Sequence, residues 1–319
     1  MLRSNWQISS VKQFPLEIIL VIVGVFLLSL SHLFVRFSEQ EISPVTITFD
    51  RFFVSTAILT LGYFVQSLIK FPVAESSLQR PTRQAIPLFI ISSILGSLTA
   101  GLLALSLLYT SIANASTFSS CTPIFATLGG WLFLKQNFSS RFLLGMAIVI
   151  CGSILISIEG FQESSLTWIG DLLALLSALT YAANYLVREK LRVDFSSGTI
   201  LYWYCLCSSL LLFPITLVMG NQFFPRSLSV WLAIVGLSLF CQIIAQMFMI
   251  NSLKKFSSGY ITLFQKLGPI ISACLAWLFF GEVLSLLNGL CVGIIVLGIY
   301  LASTGRVSKS EEKTHETTA

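Results

Sequence analysis

The sequence predicts an all-α integral membrane protein, with ten transmembrane helices arranged as two inverted five-helix repeats. Of its 319 residues, 55% are hydrophobic and only 10% are charged, whereas a soluble domain carries about 25% charged residues. Apolar stretches long enough to cross a bilayer follow one another nearly end to end. An internal sequence repeat then divides the chain into two related halves.

The apolar stretches account for nearly the whole chain. We predict spans at 16–37, 45–66, 85–109, 112–134, 141–158, 167–188, 197–219, 228–251, 257–280 and 285–303. A short turn at 109–111 must separate the third span from the fourth, because one uninterrupted helix would be far too long for a single crossing. The predicted organisation is an N-terminal segment at 1–15, helical repeats at 16–158 and 167–303, and a polar tail at 304–319.

The internal repeat is clearest between Ser111–Ser139 and Ser257–Ser285, where Pro123 aligns with Pro269. Because each half has five predicted spans, the second half enters the membrane from the opposite side. Inverted repeats of this kind are typical of secondary transporters, which bind substrate between the two halves. The repeat therefore predicts a carrier that works by alternating access.

The positions of Lys and Arg predict that both termini face the cytoplasm. With the N-terminus inside, most of the 19 basic residues fall in cytoplasmic loops and tails, Arg188 and Arg192 among them. The predicted outer loops contain only Arg36 and Arg226. The expected location is a cell membrane, either plasma or inner.

Charge and cysteine usage argue against several other function classes. The net charge of +5 is spread over short loops without a basic stripe, so we expect no nucleic-acid partner. The seven Cys lie inside apolar stretches without metal-ligand spacing, so no metal or cofactor is expected. No motif of a membrane enzyme or an ATP-driven pump is found in the sequence. The expected partners are the bilayer and a small-molecule substrate; a homodimer remains open, as does a non-transporting scaffold or receptor.

Three segments resemble the EamA-type transporters of the drug/metabolite transporter superfamily. Leu107–Leu134 resembles the signature of the family's fourth span, Ser257–Glu282 resembles the second copy of that signature, and Gly170–Arg188 resembles the sixth span. The chain departs from the family at Lys135 and Gln136, where the second half has Gly281 and Glu282, so the family's acidic residue is missing from the first half. The resemblance implies two inverted five-helix repeats and export of a small polar metabolite, and the family's substrates include amino acids, nucleotide-like metabolites and xenobiotics. Lys266 separately favours a carboxylate-bearing substrate such as an amino acid.

Lys266 is the most informative candidate for the substrate site. It lies near the middle of the ninth predicted span, where an ammonium costs about 2.5–3.5 kcal/mol on insertion scales. Either it is a counter-charge for a carboxylate or phosphate of the substrate, or it pairs with an acidic residue inside the protein, or its side chain reaches a membrane interface. The acidic residues that it could pair with are Asp50, Asp171 and Glu282. Tyr260, earlier on the same span, is predicted to form part of the cavity wall.

Other polar residues within the spans are candidates for substrate contacts. Gln242 and Gln246 share one helix face because they are four residues apart. Asn114, Asn184 and His32 are similar candidates, and the repeat aligns His32 with Asn184. Each could instead join two helices by a hydrogen bond, and His32 could also carry a proton.

The matched prolines Pro123 and Pro269 are predicted hinges, because proline removes a backbone hydrogen bond and kinks a helix. Arg51, near the start of the second span, is predicted to stabilise the first half through carbonyl or carboxylate contacts. Glu282, at the end of the ninth span, is predicted to stabilise the turn that follows.

Overall fold

Long apolar helices build the protein, which confirms the predicted all-α membrane class. The computed structural model describes residues 14–69, 78–158, 168–219, 223–272, 274, 286–305 and 307–309. Within these residues, seven helical stretches are long and apolar enough to cross a membrane. They are Glu17–Ser38, Pro44–Leu68, Ile86–Tyr109, Asn114–Leu134, Trp168–Leu191, Ser197–Val218 and Leu228–Ser252, and Ser140–Leu155 and Leu290–Ser303 are shorter apolar helices.

The described helices follow one another in the order expected from hydropathy. They are α1 (Phe14–Ser29), α2 (Ser31–Ser38), α3 (Pro44–Ile69), α4 (Ile86–Tyr109), α5 (Ile112–Ser119), α6 (Thr122–Leu134), α7 (Ser140–Ile158), α8 (Trp168–Leu191), α9 (Ser197–Met219), α10 (Leu228–Gly236), a π-helical segment (Leu237–Ile244), α11 (Ala245–Ser252), α12 (Ser258–Phe264), a 3₁₀ turn (Gln265–Leu267) and α13 (Leu286–Ser303). Residues 268–272 are again helical. The predicted turn between the third and fourth spans lies between α4 and α5.

The fourth predicted span is a pair of helices, which corrects the prediction of one kinked helix containing Pro123. α5 ends at Ser119, and Pro123 lies in the first turn of α6. Proline is well accommodated there, because the first turn of a helix needs no donor from its backbone nitrogen. The ninth predicted span is interrupted in the same way, since the 3₁₀ turn separates α12 from Pro269.

The two copies of the sequence repeat begin with the same local structure. The Ser111 hydroxyl accepts from the Asn114 backbone N–H at 3.1 Å, and the Ser257 hydroxyl accepts from the Tyr260 N–H at 3.3 Å. Each serine therefore caps the N-terminus of a short helix, α5 or α12. In both copies a break in the helix follows and then a proline, so the repeat is visible in the backbone as well as in the sequence.

Close contact between α7 and α13 depends on glycine. A side chain on Gly298 would meet the Gly145 carbonyl oxygen at 2.9 Å and a Val149 methyl group at 2.8 Å. Small residues allow membrane helices to approach closely when lipid is as apolar as the side chains. The apolar residues that point away from such contacts, such as Phe133 at 78% exposure, form the surface expected to face lipid.

Two short strands, one before α7 and one after α13, form an antiparallel pair. β1 (Gln136–Phe138) pairs with β2 (Val307–Lys309), with Asn137 opposite Ser308. Part of the predicted polar tail is thus attached to the loop before α7. Glu282 and the end of the ninth predicted span lie outside the described residues.

Candidate functional site

A cavity of about 380 Å³ lies between the two halves of the chain. Residues of α1 to α4 line it from the first half, and residues of α8, α9, the π-helical segment, α11 and the 3₁₀ turn line it from the second. Among its described lining residues, Arg51 and Arg188 carry positive charges and there is no Asp or Glu. The cavity is therefore suited to an anion.

Arg188 is held in place by two neighbours in the second half. Its Nη1 donates to the Gln246 side-chain oxygen at 2.9 Å, and its guanidinium carbon lies 4.0 Å from the centre of the Tyr204 ring. The residue is only 3% exposed, and its Nε has no hydrogen-bond partner within the described residues. Because the flat ring and the amide fix the guanidinium, its remaining donors are ready for a ligand in the cavity.

Arg51 lies in the first third of α3 and lines the cavity from the other half. Its Nε is buried and has no hydrogen-bond partner in the described part of the chain. The sequence predicts a structural role through carbonyl or carboxylate contacts, and among the described residues no such hydrogen bond from the guanidinium is found. Its backbone carbonyl accepts from the Ser238 hydroxyl at 3.2 Å, which attaches α3 to the π-helical segment.

Amide side chains predicted as candidates line the same cavity. Asn184, which is 2% exposed, accepts from the Ser92 hydroxyl at 2.7 Å. Gln242 lies 3.6 Å from the Cys205 sulfur, and Gln246 is the partner of Arg188. These amides offer both donors and acceptors, so they can orient a polar ligand while the arginines supply the charge.

His32, in the first half of the chain, and Pro269, in the second half, also line the cavity. The His32 Nδ1 is 3.1 Å from the Ser272 hydroxyl, so the imidazole joins α2 to the helical residues after the 3₁₀ turn. Pro269 and Gly268 line the cavity, and the Gly268 carbonyl accepts from the Ser29 hydroxyl at 3.2 Å. The two halves thus meet at the interruption of the ninth predicted span.

Lys266 is placed by the structure outside the lining of this cavity. Its ammonium donates to the Ser119 carbonyl at 2.8 Å, which is the carbonyl four residues before Pro123. A proline nitrogen cannot donate to that carbonyl, so Lys266 takes the place of the missing backbone donor. The Thr122 hydroxyl donates to the same oxygen at 2.7 Å.

Tyr260 and Asn114 are buried away from the cavity. Tyr260 is 5% exposed and lies between aromatic rings, with its centroid 5.5 Å from that of Phe142 and 5.4 Å from that of Phe264. Asn114 is 4% exposed in the first turn of α5. In the conformation described here, neither residue contributes to the cavity wall.

A polar clasp and an aromatic stack join the halves beyond Arg188. Gln136 Nε2 donates to one carboxylate oxygen of Glu189, and the Ser258 backbone N–H donates to the other at 2.7 Å. Beside this clasp, Phe142 of the first half stacks on Tyr260 of the second. These partly buried contacts connect the two halves at the end of α8.

Sequence reasoning missed Arg188 because the residue was assigned to a cytoplasmic loop. The structure places it inside α8, one helical turn after Asn184 and on the same face. That spacing was visible in the sequence and could have identified Arg188, since Asn184 was already a candidate. Gln265, which donates to the Tyr185 hydroxyl at 2.7 Å, was also missed.

The fold defines a multi-pass membrane protein with a polar cavity between its halves. The sequence model of the EamA-like transporter family matches residues 15–158 and again 168–304. The chain therefore belongs to the EamA-like transporter family.

Several known proteins are similar to this chain over most of its length. An uncharacterized transporter of Archaeoglobus fulgidus is 23% identical over 86% of this chain and 92% of its own length. The pseudopaline exporter CntI of Pseudomonas aeruginosa is 22% identical over 90% of this chain and 96% of its own. The mouse GDP-fucose transporter 1 is 26% identical over 65% of this chain and 59% of its own length.

A protein of known crystal structure shares the fold. It superposes with a TM-score of 0.76 and 15% identity, covering 90% of this chain and 98% of the other.

Proposed function

We propose that the protein is a secondary carrier that moves a small anionic metabolite across the cell membrane by alternating access. One observation carries this proposal: the cavity between the halves is lined by two arginines, one from each half, without an acidic residue among the described lining. A buried guanidinium binds carboxylate or phosphate oxygens strongly, because its hydrogen bonds to them are charge-assisted.

The proposed architecture is ten transmembrane helices in two inverted five-helix repeats, at 16–158 and 167–303, with both termini in the cytoplasm. The matching serine caps, helix breaks and prolines in the two copies support this arrangement. Under this topology α12 and the helical residues that follow form the ninth crossing. The cytoplasmic location of the termini is supported by the distribution of Lys and Arg.

Alternating access is supported by the sequence repeat between the halves, which polar contacts join near both ends of the space between them. The clasp of Gln136, Glu189 and Ser258 lies at the end that the charge distribution assigns to the cytoplasm. At the other end, Glu41 of the first half accepts from the Ser227 hydroxyl of the second half at 2.6 Å, so the conformation described here has a contact between the halves at both ends. In a state open toward the cytoplasm the clasp would separate, and the interrupted helices at Pro123 and Pro269 would supply the movement.

The proposed substrate contacts come from both halves. Arg51 and Arg188 bind the anionic group, while Asn184, Gln242, Gln246 and His32 orient the polar remainder. Lys266, Tyr260 and Asn114 would contact substrate only after a rearrangement, and in the conformation described they connect helices instead.

The named relatives support a polar metabolite as substrate and export as the direction. One exports pseudopaline, as its name states, and another transports GDP-fucose, whose diphosphate is anionic. The low identities leave the substrate of this chain open within the class of small anions.

The first test is a metabolite comparison between cells that express the wild type and cells that express Arg51→Gln or Arg188→Gln. We expect one class of carboxylates or phosphates to move between cells and medium with the wild type, and at least tenfold less with either variant. Arg226→Gln, which changes a predicted outer-loop arginine, is the matched control and should behave as the wild type. Equal movement of neutral compounds and anions by all four proteins would contradict an anion carrier.

A further inference from the structure

A buried acidic residue lies beside Arg51, which lines the cavity. Asp50 precedes Arg51 on α3 and is 0% exposed, and both of its carboxylate oxygens lack a hydrogen-bond partner within the described residues. We propose that Asp50 binds the proton that accompanies the anion, so that substrate and proton cross the membrane together. This inference rests on the proposed carrier function and adds a coupling ion to it.

The surroundings of Asp50 favour its neutral form. Ile47 and Val54, at spacings of three and four residues, share its helix face. Both pack into an apolar cluster with Ile234 and Leu237 of the facing helix. An ionised carboxylate in such a place is costly unless a donor stabilises it, so burial favours the neutral form of Asp50 in the conformation described here.

Within the described residues, no neighbouring charged or titratable group supplies a hydrogen bond to the Asp50 carboxylate. The elements that pack on α3 are α2, α9, α10 and the π-helical segment. Their titratable or charged residues, with those of α3 itself, are His32, Arg36, Arg51, Tyr63, Tyr202, Tyr204, Cys205, Cys207 and Cys241. Within the described part of the chain, none of them forms a hydrogen bond with the Asp50 carboxylate.

Proton binding at Asp50 and anion binding at Arg51 must influence each other. The two residues are adjacent, with Cα atoms about 3.8 Å apart. An ionised Asp50 would repel an anion at Arg51 and weaken its binding, whereas a protonated Asp50 would not. By thermodynamic linkage a bound anion then raises the affinity of Asp50 for its proton to the same degree. The two ligands therefore bind together rather than in competition.

The element that covers Asp50 has a backbone suited to rearrangement. The Ser238 hydroxyl donates to the Arg51 carbonyl, and the Ser55 hydroxyl donates to the Ser238 carbonyl at 3.4 Å, so α3 and the π-helical segment are attached at this level. π-Helical turns are rare and frequent at functional sites. A shift of this segment would admit water to Asp50.

The proton step is then simple to balance. On one side of the membrane, an O–H bond forms between a carboxylate oxygen of Asp50 and a proton from hydronium, whose own O–H bond breaks to leave water. After the change of conformation that bond breaks, and the proton passes to water on the other side with the anion. The empty carrier returns with Asp50 ionised and hydrated.

Infrared spectroscopy of the purified protein tests the proton site without any substrate. We expect the wild type to show the carbonyl stretch of a protonated carboxyl at neutral pH, and Asp50→Asn to lack it. The band should disappear as the pH is raised while the protein remains folded. Asp171→Asn, which changes a carboxylate that accepts from the Thr110 hydroxyl at 2.7 Å, is the matched control and should retain the band. A wild-type spectrum equal to that of Asp50→Asn, or a band that never titrates, would overturn the proposal.

Proteoliposomes that contain a pH-sensitive dye test the coupling, with L-glutamate, citrate and uridine monophosphate as probe anions. Entry of a transported anion should acidify the lumen with the wild type and with Asp171→Asn. With Asp50→Asn, exchange of labelled anion should persist, while net entry and acidification fall at least tenfold. Anion entry without acidification in the wild type would refute coupling even though the carrier function stands. Failure of the wild type to move any probe would count against the carrier function, and the infrared titration would still decide the proton site.

Discussion

Replacement of Arg188 by Gln offers the sharpest test of the proposed anion site. The substitution removes the positive charge, the hydrogen bond to Gln246 at 2.9 Å and the contact with the Tyr204 ring at 4.0 Å. A hydrogen bond that involves a charged group contributes about 1.5–3 kcal/mol. If Arg188 binds the anionic group, the loss corresponds to a roughly 10- to 150-fold rise in the apparent KM for the anion.

The effect on folding should be smaller than the effect on transport. The variant loses the two contacts of the guanidinium, but it also no longer buries a charge, and these contributions oppose each other. We expect the free energy of unfolding to change by about 1–2 kcal/mol. Arg188→Lys keeps the charge without the planar fork, so its KM should fall between those of the wild type and Arg188→Gln.

The assay is initial-rate uptake of the identified anion into proteoliposomes, together with thermal unfolding of each variant in detergent. Arg192→Gln is the matched control, because Arg192 lies four residues further along the chain, just after the end of α8, and donates to Asn251 at 2.8 Å and to the Phe195 carbonyl at 2.9 Å. It should lower stability but leave KM unchanged. A KM for Arg188→Gln within threefold of the wild type, in a folded protein, would refute the proposed role.

Three further predictions concern stability, measured by thermal unfolding of the purified protein. The free energy of unfolding of Lys266→Met should lie within about 1 kcal/mol of the wild-type value, because the lost hydrogen bond is offset by not burying an ammonium. A decrease in that free energy of more than about 3 kcal/mol would contradict this. Gly298→Ala should cost about 1–3 kcal/mol, since the new methyl group would meet the Gly145 carbonyl. Gly293→Ala is its control on the same helix, because it faces open space. Lys135→Gly should stabilise by up to about 1 kcal/mol, since Lys135 has a φ of 51°; an unchanged melting temperature would argue against strain there.

Hydropathy was sufficient to predict the class of the protein and the course of most helices. The interruptions were harder to predict, because an apolar sequence gives the same hydropathy whether its backbone is α-helical or π-helical. The segment Leu237–Ile244 illustrates this, since nothing in its composition indicates the change of hydrogen bonding. The break before Pro123 did have a signal: proline at that position favours the first turn of a new helix as much as a kink in an old one.

The candidate site was predicted in part, and the errors share a physical cause. His32, Asn184, Gln242 and Gln246 were identified because polar side chains are costly in a membrane and need a reason to be there. Arg188 was missed because the rule for basic residues in loops counts charge and does not resolve one helical turn. At a span end, a change of one turn moves an arginine between the interface and the interior.

Lys266 shows how the repeat can produce different roles at matching positions. An offset of 146 residues, the distance from Pro123 to Pro269, aligns Lys266 with Ser120. Each of these two residues lies where the helix of its own half is interrupted, but only the second half has a cation there. That cation, the Lys266 ammonium, donates to the carbonyl of Ser119, the residue before Ser120. The contact therefore ties the two breaks together. Two identical halves would favour the two states of a carrier equally. The hydrogen bond from Lys266 to Ser119 therefore stabilises the conformation in which the two helix interruptions are adjacent.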